Sequence, residues 1–342
     1  MKRIGYIDVM KGIAILSVLV GHYIALRSVG TAIWSFHMPL FVFISGYFYK
    51  QQEFRGLLKR NLKNYMFPYV IVWGGGVLLS ELIVYSVFNH LSSEPMLLSD
   101  AFIRRIISGF YGLASNSTLH KPDFVIKIGV IWFLNALFIG EIMLFFVLKI
   151  QKITNQIISV AGIIVIACIQ TACICIPFGI NYSCAFLGWL YMGYIFRKHN
   201  LFDKIDGSVI VKAIAVVIWL IVIVLEYLTN NSFNIIHLSF PLYGVEIIGA
   251  FFGILSIRWL SVWIENNLQR LAEVLMKLGR NTIWILCIHA IDIELWNYAS
   301  GFVPVPKMLM GLIRIALDII LAMHIKHMVL GFRNRKLRRT CI

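Results

Sequence analysis

The chain has 342 residues, 60% of them hydrophobic and only 14% charged, where soluble globular domains carry about 25% charged residues. With a mean hydropathy of +0.83 there is too little polar surface to cover a water-soluble core, so the solvent of this fold is a bilayer. The 31 Lys+Arg against 16 Asp+Glu, a net charge of +15, fall between apolar runs and read as membrane topology, not as a nucleic-acid footprint.

Ten apolar stretches have roughly the 17–25 residues that cross a hydrocarbon core about 30 Å thick: 5–26, 33–49, 66–89, 128–148, 153–176, 182–196, 208–229, 236–257, 280–298 and 307–330. The expected fold is an all-α polytopic bundle, one transmembrane domain over 1–331 followed by a basic tail over 332–342. With both ends cytoplasmic, the inside segments hold 21 Lys/Arg and the outside segments six, which favours N-in, C-in. Lys2 and Arg3 precede the first run without a small-residue cleavage site after it, so that run reads as a helix and not as a leader. Cys168, Cys173, Cys175, Cys184, Cys287 and Cys341 have neither the spacing nor the polar company of a disulfide framework or a metal site, and no metal is expected.

The first helix is the richest in intramembrane polar groups, with Asp8, Lys11 and His22 its ionisable residues. Eleven residues at 100° each end about 20° past three full turns, so Lys11 and His22 share a face, about 16 Å apart in depth. Asp8 lies one turn below Lys11 on nearly the same stripe. Alone, Lys11 would snorkel to the headgroups and His22 would make a packing hydrogen bond; the shared face points both toward function. Gly12 and Gly21 admit the close approach of another helix or of a narrow ligand arm. The second helix opens Trp34-Ser-Phe-His37-Met-Pro39, which sets His37 about one turn below the outer surface, where it could meet His22. Pro39 fits a first helical turn or kinks the helix.

Between His90 and Lys127, Ser99 and Asp100 are candidate caps for an amphipathic helix over Ala101–Ser108 with Arg104 and Arg105 on its wet face. It reads equally as a lid over an outer cavity and as a helix resting in the headgroups. Further along, Glu141 is placed to pair with Lys11 or a basic loop residue. His289 reads as a packing histidine or a cavity lining, and Asp292 and Glu294 as sugar ligands or caps. Glu226 and Glu246 are further cavity candidates, and Trp189, Trp219, Trp259, Trp263 and Trp296 read as interface-belt residues.

Tyr6-Ile-Asp8, Lys11-Gly12-Ile-Ala-Ile and Gly21-His22 resemble the first-helix signature of the membrane-bound acyltransferase-3 family, and within it the fucose O-acetylase-like polysaccharide acyltransferases. Phe36-His37-Met-Pro39-Leu-Phe41 with Ser45-Gly46 is similar to its second-helix motif. The likeness continues in Lys59-Arg60-Asn-Leu-Lys63 ahead of Pro68-Tyr69, in Trp132-Phe-Leu134 with Leu137-Phe138 and Glu141, and in Leu278-Gly-Arg280-Asn-Thr282 with His289. The matches concentrate in residues 3–69. Lys11 stands where many relatives have arginine, and a lysine meets phosphate without arginine's planar fork.

The resemblance implies transfer of an acyl group, most often acetyl, from cytoplasmic acyl-CoA to a hydroxyl of a cell-surface sugar or polysaccharide precursor. The setting it implies is a bacterial-type cytoplasmic membrane. Lys11, Asp8, Lys59, Arg60 and Lys63 are the expected donor-binding set. His22 suits the general base, with His37 orienting it or the acceptor. Ser45, Trp132 and Asn135 are candidate oxyanion donors, and with Glu141, His289 and Asp292 they form the expected substrate set. Direct transfer and a route through an acyl-histidine both stay open. The expected partners are acyl-CoA, a lipid-linked glycan or polysaccharide acceptor and membrane lipids, with a second copy or a glycan-assembly protein left open. The chemistry requires a tunnel from a charged cytosolic mouth to an imidazole. The alternative is a secondary transporter or flippase for a glycolipid, whose signature of two related halves with paired interrupted helices is not found.

Overall fold

A computed structural model of the chain describes residues 4–24, 26–77, 98–115, 121–171, 175–230, 242, 244–299 and 306–339. Lys2, Arg3, Cys173, Cys341, the second half of the third expected span and the start of the eighth lie outside the described residues, as does the side chain of Ser99. The described residues contain fifteen α-helices and no strand. In chain order these are α1 (Gly5–Tyr23), α2 (Arg27–Trp34), α3 (His37–Tyr47), α4 (Phe54–Asn61), α5 (Phe67–Ile71), α6 (Leu98–Tyr111), α7 (Trp132–Val147) and α8 (Ile153–Thr171). They continue with α9 (Ile180–Lys198), α10 (Leu201–Ile205), α11 (Val209–Leu228), α12 (Val245–Asn267), α13 (Gln269–Gly279), α14 (Thr282–Ala299) and α15 (Lys307–Arg339).

Among the described residues, six segments are long and apolar enough to cross a membrane: Gly5–Tyr23, Arg27–Tyr47, Gly129–Val147, Val209–Leu228, Val245–Asn267 and Lys307–Gly331. The pair α13 and α14, bent by 66°, makes a seventh if its arms count as one. Against the ten expected, the 153–176 stretch is a shorter apolar helix, the 66–89 stretch runs out of the described residues, and α9 is lined with tyrosines and ends in Arg197 and Lys198. The protein is a multi-pass membrane protein. Only 17% of the apolar window of α11 is buried, and hydrocarbon is the solvent in which so much outward apolar surface is stable.

Two compact units are present, Met1–Gly30 with Leu260–Ile342, and Thr31–Trp259. In the first, α1 packs on α13, α14 and α15. The α1–α13 crossing is reciprocal: a Cβ on Gly12 would lie 2.2 Å from Leu275 O, and one on Gly279 would lie 1.8 Å from Asp8 O. At Gly12, then, the close approach is made by a helix. In the second unit α3, α7 and α8 gather round α9, where Gly46 and Gly193 play the same part against Leu190 O and Phe43 O.

Pro39 sits in the first turn of α3 and its missing N–H cannot serve Ser35 O, so the span breaks at Ser35–Phe36. Ser35 closes the break by donating its Oγ–H to Ala32 O at 2.8 Å and accepting from Trp219 Nε1 at 2.9 Å.

Two expectations are corrected. The helix at the outer segment runs over Leu98–Tyr111, so Asp100 lies in its first turn, and Arg105 is buried while Phe102, Ile103, Ile106 and Phe110 are exposed. Arg104 is half-buried and donates from Nε to Phe124 O at 2.8 Å. The expected face is inverted because the medium outside a membrane protein is apolar. Of the belt tryptophans, Trp263 is exposed, but Trp189 is buried and Trp259 gives its indole N–H to Asp206 at 2.9 Å. A buried indole must find an acceptor, and these two rings are used in packing.

Candidate active site

The first unit carries five of the sequence-derived residues, at the two ends of α1. Near its start, Asp8 is held between cations: Lys11 Nζ lies 3.7 Å from Oδ1, and Arg280 Nε donates to Oδ2 at 3.0 Å. Arg280 arrives because the Gly12–Gly279 crossing brings the end of α13 against α1. Next to it, Lys326 on α15 donates to Asn281 Oδ1 at 2.6 Å. Two cations therefore share one carboxylate, with Lys326 held at the residue next to Arg280, a net positive site suited to phosphate. The planar guanidinium that Lys11 lacks is supplied from α13.

At the other end, His22 is exposed and its ring centre lies 5.3 Å from that of His289. His289 is fully buried on α14, with Nδ1 2.8 Å from the Tyr23 hydroxyl and 3.1 Å from Asp318 Oδ2. The Tyr23 hydroxyl also lies 2.6 Å from Asp318 Oδ2 and contacts Asp292 Oδ2. Arg314 pairs with Asp292, from Nε at 2.8 Å, and its guanidinium stacks between Tyr23 at 4.1 Å and Trp296 at 4.6 Å. Sequence reasoning had Asp292 and His289 but missed Tyr23, Arg314 and Asp318. The available signal was a carboxylate and an arginine four residues apart within the apolar run of α15, each costly in hydrocarbon unless paired.

The second unit holds the other candidates. Glu141, buried on α7, pairs with Arg60 and accepts from the Tyr65 hydroxyl at 2.8 Å, so its partner is the basic loop residue. Ser45 is hydrogen-bonded to the same Tyr65. Lys59 and Lys63 are exposed. Nearby, Tyr49, Gln52, Glu53, Phe54 and Lys149 line an open cleft of about 490 Å³. His37 is buried with Nδ1 2.8 Å from Ile33 O; a carbonyl only accepts, so Nδ1 carries the proton. Trp132 packs against Tyr182 and Phe186, at ring separations of 4.9 and 5.7 Å. Asn135 donates from Nδ2 to Phe178 O at 2.8 Å, which holds the left-handed turn at Phe178 and Gly179. Glu226 and Glu294 are buried, and Glu246 accepts from the N–H groups of Leu242 and Gly244 at the start of its own helix.

No curated protein and no solved structure gives a significant match to the chain. A family model does: the acyltransferase domain of the acyltransferase-3 family matches residues 4–323. Its extent takes in every helix from α1 to the middle of α15, and with it every residue of the two polar clusters on α1 except Lys326. The chain belongs to the acyltransferase-3 family.

Proposed function

We propose that this membrane acyltransferase moves an acyl group, acetyl in the first instance, from cytoplasmic acyl-CoA to a hydroxyl of a sugar or polysaccharide precursor at a bacterial-type cytoplasmic membrane. The observation that carries the reading is the division of α1. A cation-rich cluster of Lys11, Arg280 and Lys326 stands at one end, and an accessible imidazole, His22, at the other. Eleven residues of helix separate Lys11 from His22 by about 16 Å, a span comparable to the pantetheine arm of a coenzyme A whose phosphates rest on the cations.

His22 takes the proton of the acceptor hydroxyl as its oxygen attacks the thioester carbonyl. The tetrahedral adduct then collapses, the C–S bond breaks, and the thiolate recovers the proton from the His22 imidazolium and leaves as the thiol. In the second unit, Lys59, Arg60 and Lys63 are further donor-side candidates, and His37, Ser45, Trp132, Asn135 and Glu141 acceptor-side ones.

The test is mass spectrometry of surface glycans from cells carrying wild-type, Lys11→Ala and His22→Ala proteins, with acyl-CoA turnover by the purified proteins. Loss of one acyl mass in both variants and a His22→Ala rate reduced about 10²–10⁴-fold, the range of general-base catalysis, are expected. Unchanged glycans in both would refute the reading, and a wild-type protein that moves a glycolipid without turning over acyl-CoA would establish the transporter.

A further inference from the structure

We infer that Asp292, Arg314 and Trp296 form the acceptor subsite and that the acceptor bound there is a neutral sugar; this rests on the reading of the chain as a sugar acyltransferase. The three side chains stand on two helices of the first unit. On α14, Asp292 and Trp296 are four residues apart and share a face with His289. On α15, Gly311, Arg314 and Asp318 line one face. A Cβ on Gly311 would lie 2.8 Å from Tyr23 O, so the backbone of α15 rests on the end of α1, one residue beyond His22. Arg314 is thereby carried in over the Tyr23 ring, 4.1 Å from its centre.

Arg314 is committed within this frame. It pairs with Asp292 Oδ2 from Nε at 2.8 Å and from Nη2 at 2.6 Å, and the same oxygen meets the Tyr23 hydroxyl. Asp292 Oδ1 takes no part in these contacts. The Asp292 side chain is 29% exposed and that of Arg314 9%, so the cation is covered while an acceptor oxygen is left open. In a membrane domain such an oxygen needs water or the O–H of a ligand, because lipid chains offer no donor. A second polar atom points the same way, one turn back on α14. His289 Nδ1 faces Tyr23 and Asp318, while Nε2, across the ring, is buried with no hydrogen-bond partner among the described residues. Hydroxyl groups suit both atoms, since each can donate or accept. Trp296, half-buried, supplies the apolar part: the guanidinium lies 4.6 Å from its ring centre, and the remaining indole surface is a plane for the C–H face of a pyranose.

Charge then selects among sugars. Two carboxylates, Asp292 and Asp318, stand about the one guanidinium of Arg314, whose Nε and Nη2 go to Asp292 and whose faces lie against Tyr23 and Trp296. The other cations at this end, Arg27 and Lys307, open α2 and α15 and are exposed, where water screens them. A uronate would bring its carboxylate against Asp292 with the guanidinium already committed, a like-charge contact that costs affinity. A neutral hexose brings only hydroxyls and an apolar face.

The experiment uses the full chain in nanodiscs, free of glycoside detergent and without acyl-CoA. Binding of methyl α-glucoside, methyl α-galactoside and methyl α-glucuronoside is read by saturation-transfer NMR in wild type, Asp292→Asn and Trp296→Ala. Wild type is expected to bind at least one neutral glycoside with a Kd tenfold or more below that of the glucuronoside, and each variant to weaken that binding about tenfold, the scale of one hydrogen bond to a charged group. Equal or tighter binding of the glucuronoside overturns the inference, as does wild-type affinity in either variant or no binding of either neutral glycoside. Should Asp292→Asn not accumulate, Trp296→Ala carries the test, with KM for acyl-CoA expected within twofold of wild type; a parallel rise in that KM would mark a structural role and overturn the subsite. If wild type binds the glycosides but turns over no acyl-CoA, the proposed function fails and the subsite stands, whereas turnover of acyl-CoA without glycoside binding overturns the subsite alone.

Discussion

Arg280 donates from Nε to Asp8 Oδ2 at 3.0 Å across 272 positions of sequence, beside Lys11 on the same carboxylate. Asp8 thus holds two cations side by side, and the proposed donor phosphate would rest on their joint charge. Charge-assisted contacts contribute about 1.5–3 kcal/mol each. Lys11→Ala is expected to raise KM for acyl-CoA about tenfold or more with kcat little changed, and Lys11→Arg to keep KM near wild type. Steady-state kinetics on purified protein decides; a fall in kcat at constant KM would place Lys11 outside donor binding.

The α1–α13 crossing tolerates no side chain. A Cβ on Gly12 would lie 2.2 Å from the backbone oxygen Leu275 O, an atom that cannot rotate away. Overpacking of this kind costs about 1–3 kcal/mol or more, so Gly12→Val should abolish a monodisperse detergent-solubilised species. Gly162, with open space around its Cβ position, should accept alanine. Size-exclusion chromatography reads both, and normal behaviour of Gly12→Val would show that the crossing is not tight.

In the Arg60–Glu141 pair the side chains are 30% and 4% exposed, so the two single truncations differ. Arg60→Met leaves a buried carboxylate unpaired and should cost several kcal/mol, about 3–5 for a fully buried pair. Glu141→Gln keeps the Tyr65 bond and strands only a half-exposed guanidinium, which water can reach. Thermal unfolding in detergent should rank Arg60→Met below Glu141→Gln, and the reverse order would contradict this account.

Asp206, in the connection between α10 and α11, has its carboxyl held below the usual aspartate value. Burial alone would push it up, but the hydrogen bonds and charge of Arg258 and the Trp259 N–H outweigh burial. A carboxylate whose folded pKa is depressed contributes stability in full above the unfolded value of about 3.9, and loses it as pH falls through the lower folded value. Unfolding temperature should therefore drop below about pH 4 in wild type, with that part of the drop missing in Asp206→Asn. Parallel pH curves for the two proteins would remove the linkage.

How much of this was legible in the chain follows from the range of each interaction. The shared face of Lys11 and His22 needs only the 3.6-residue period of one helix, and the break before α3 needs only Pro39. Glu141 was visible as a carboxylate that must be paired, because hydrocarbon leaves no other choice. Its partner was not visible, since Arg60 and Lys11 were equally eligible until α4 was packed against α7. Arg105 was placed on the wrong face because amphipathicity gives two faces and says nothing of which one meets lipid.

By itself, then, the sequence determined what short-range physics controls: an all-helical membrane chain, the polar stripe on α1 and the motifs that resemble the family. Tertiary structure alone decided the partners. Tyr23, His289, Asp292, Arg314 and Asp318 come from helices at opposite ends of the chain, and Asp8 meets Arg280 only because two glycines let α1 and α13 touch. Contacts of that kind depend on helix packing angles and registers, which no local pattern encodes.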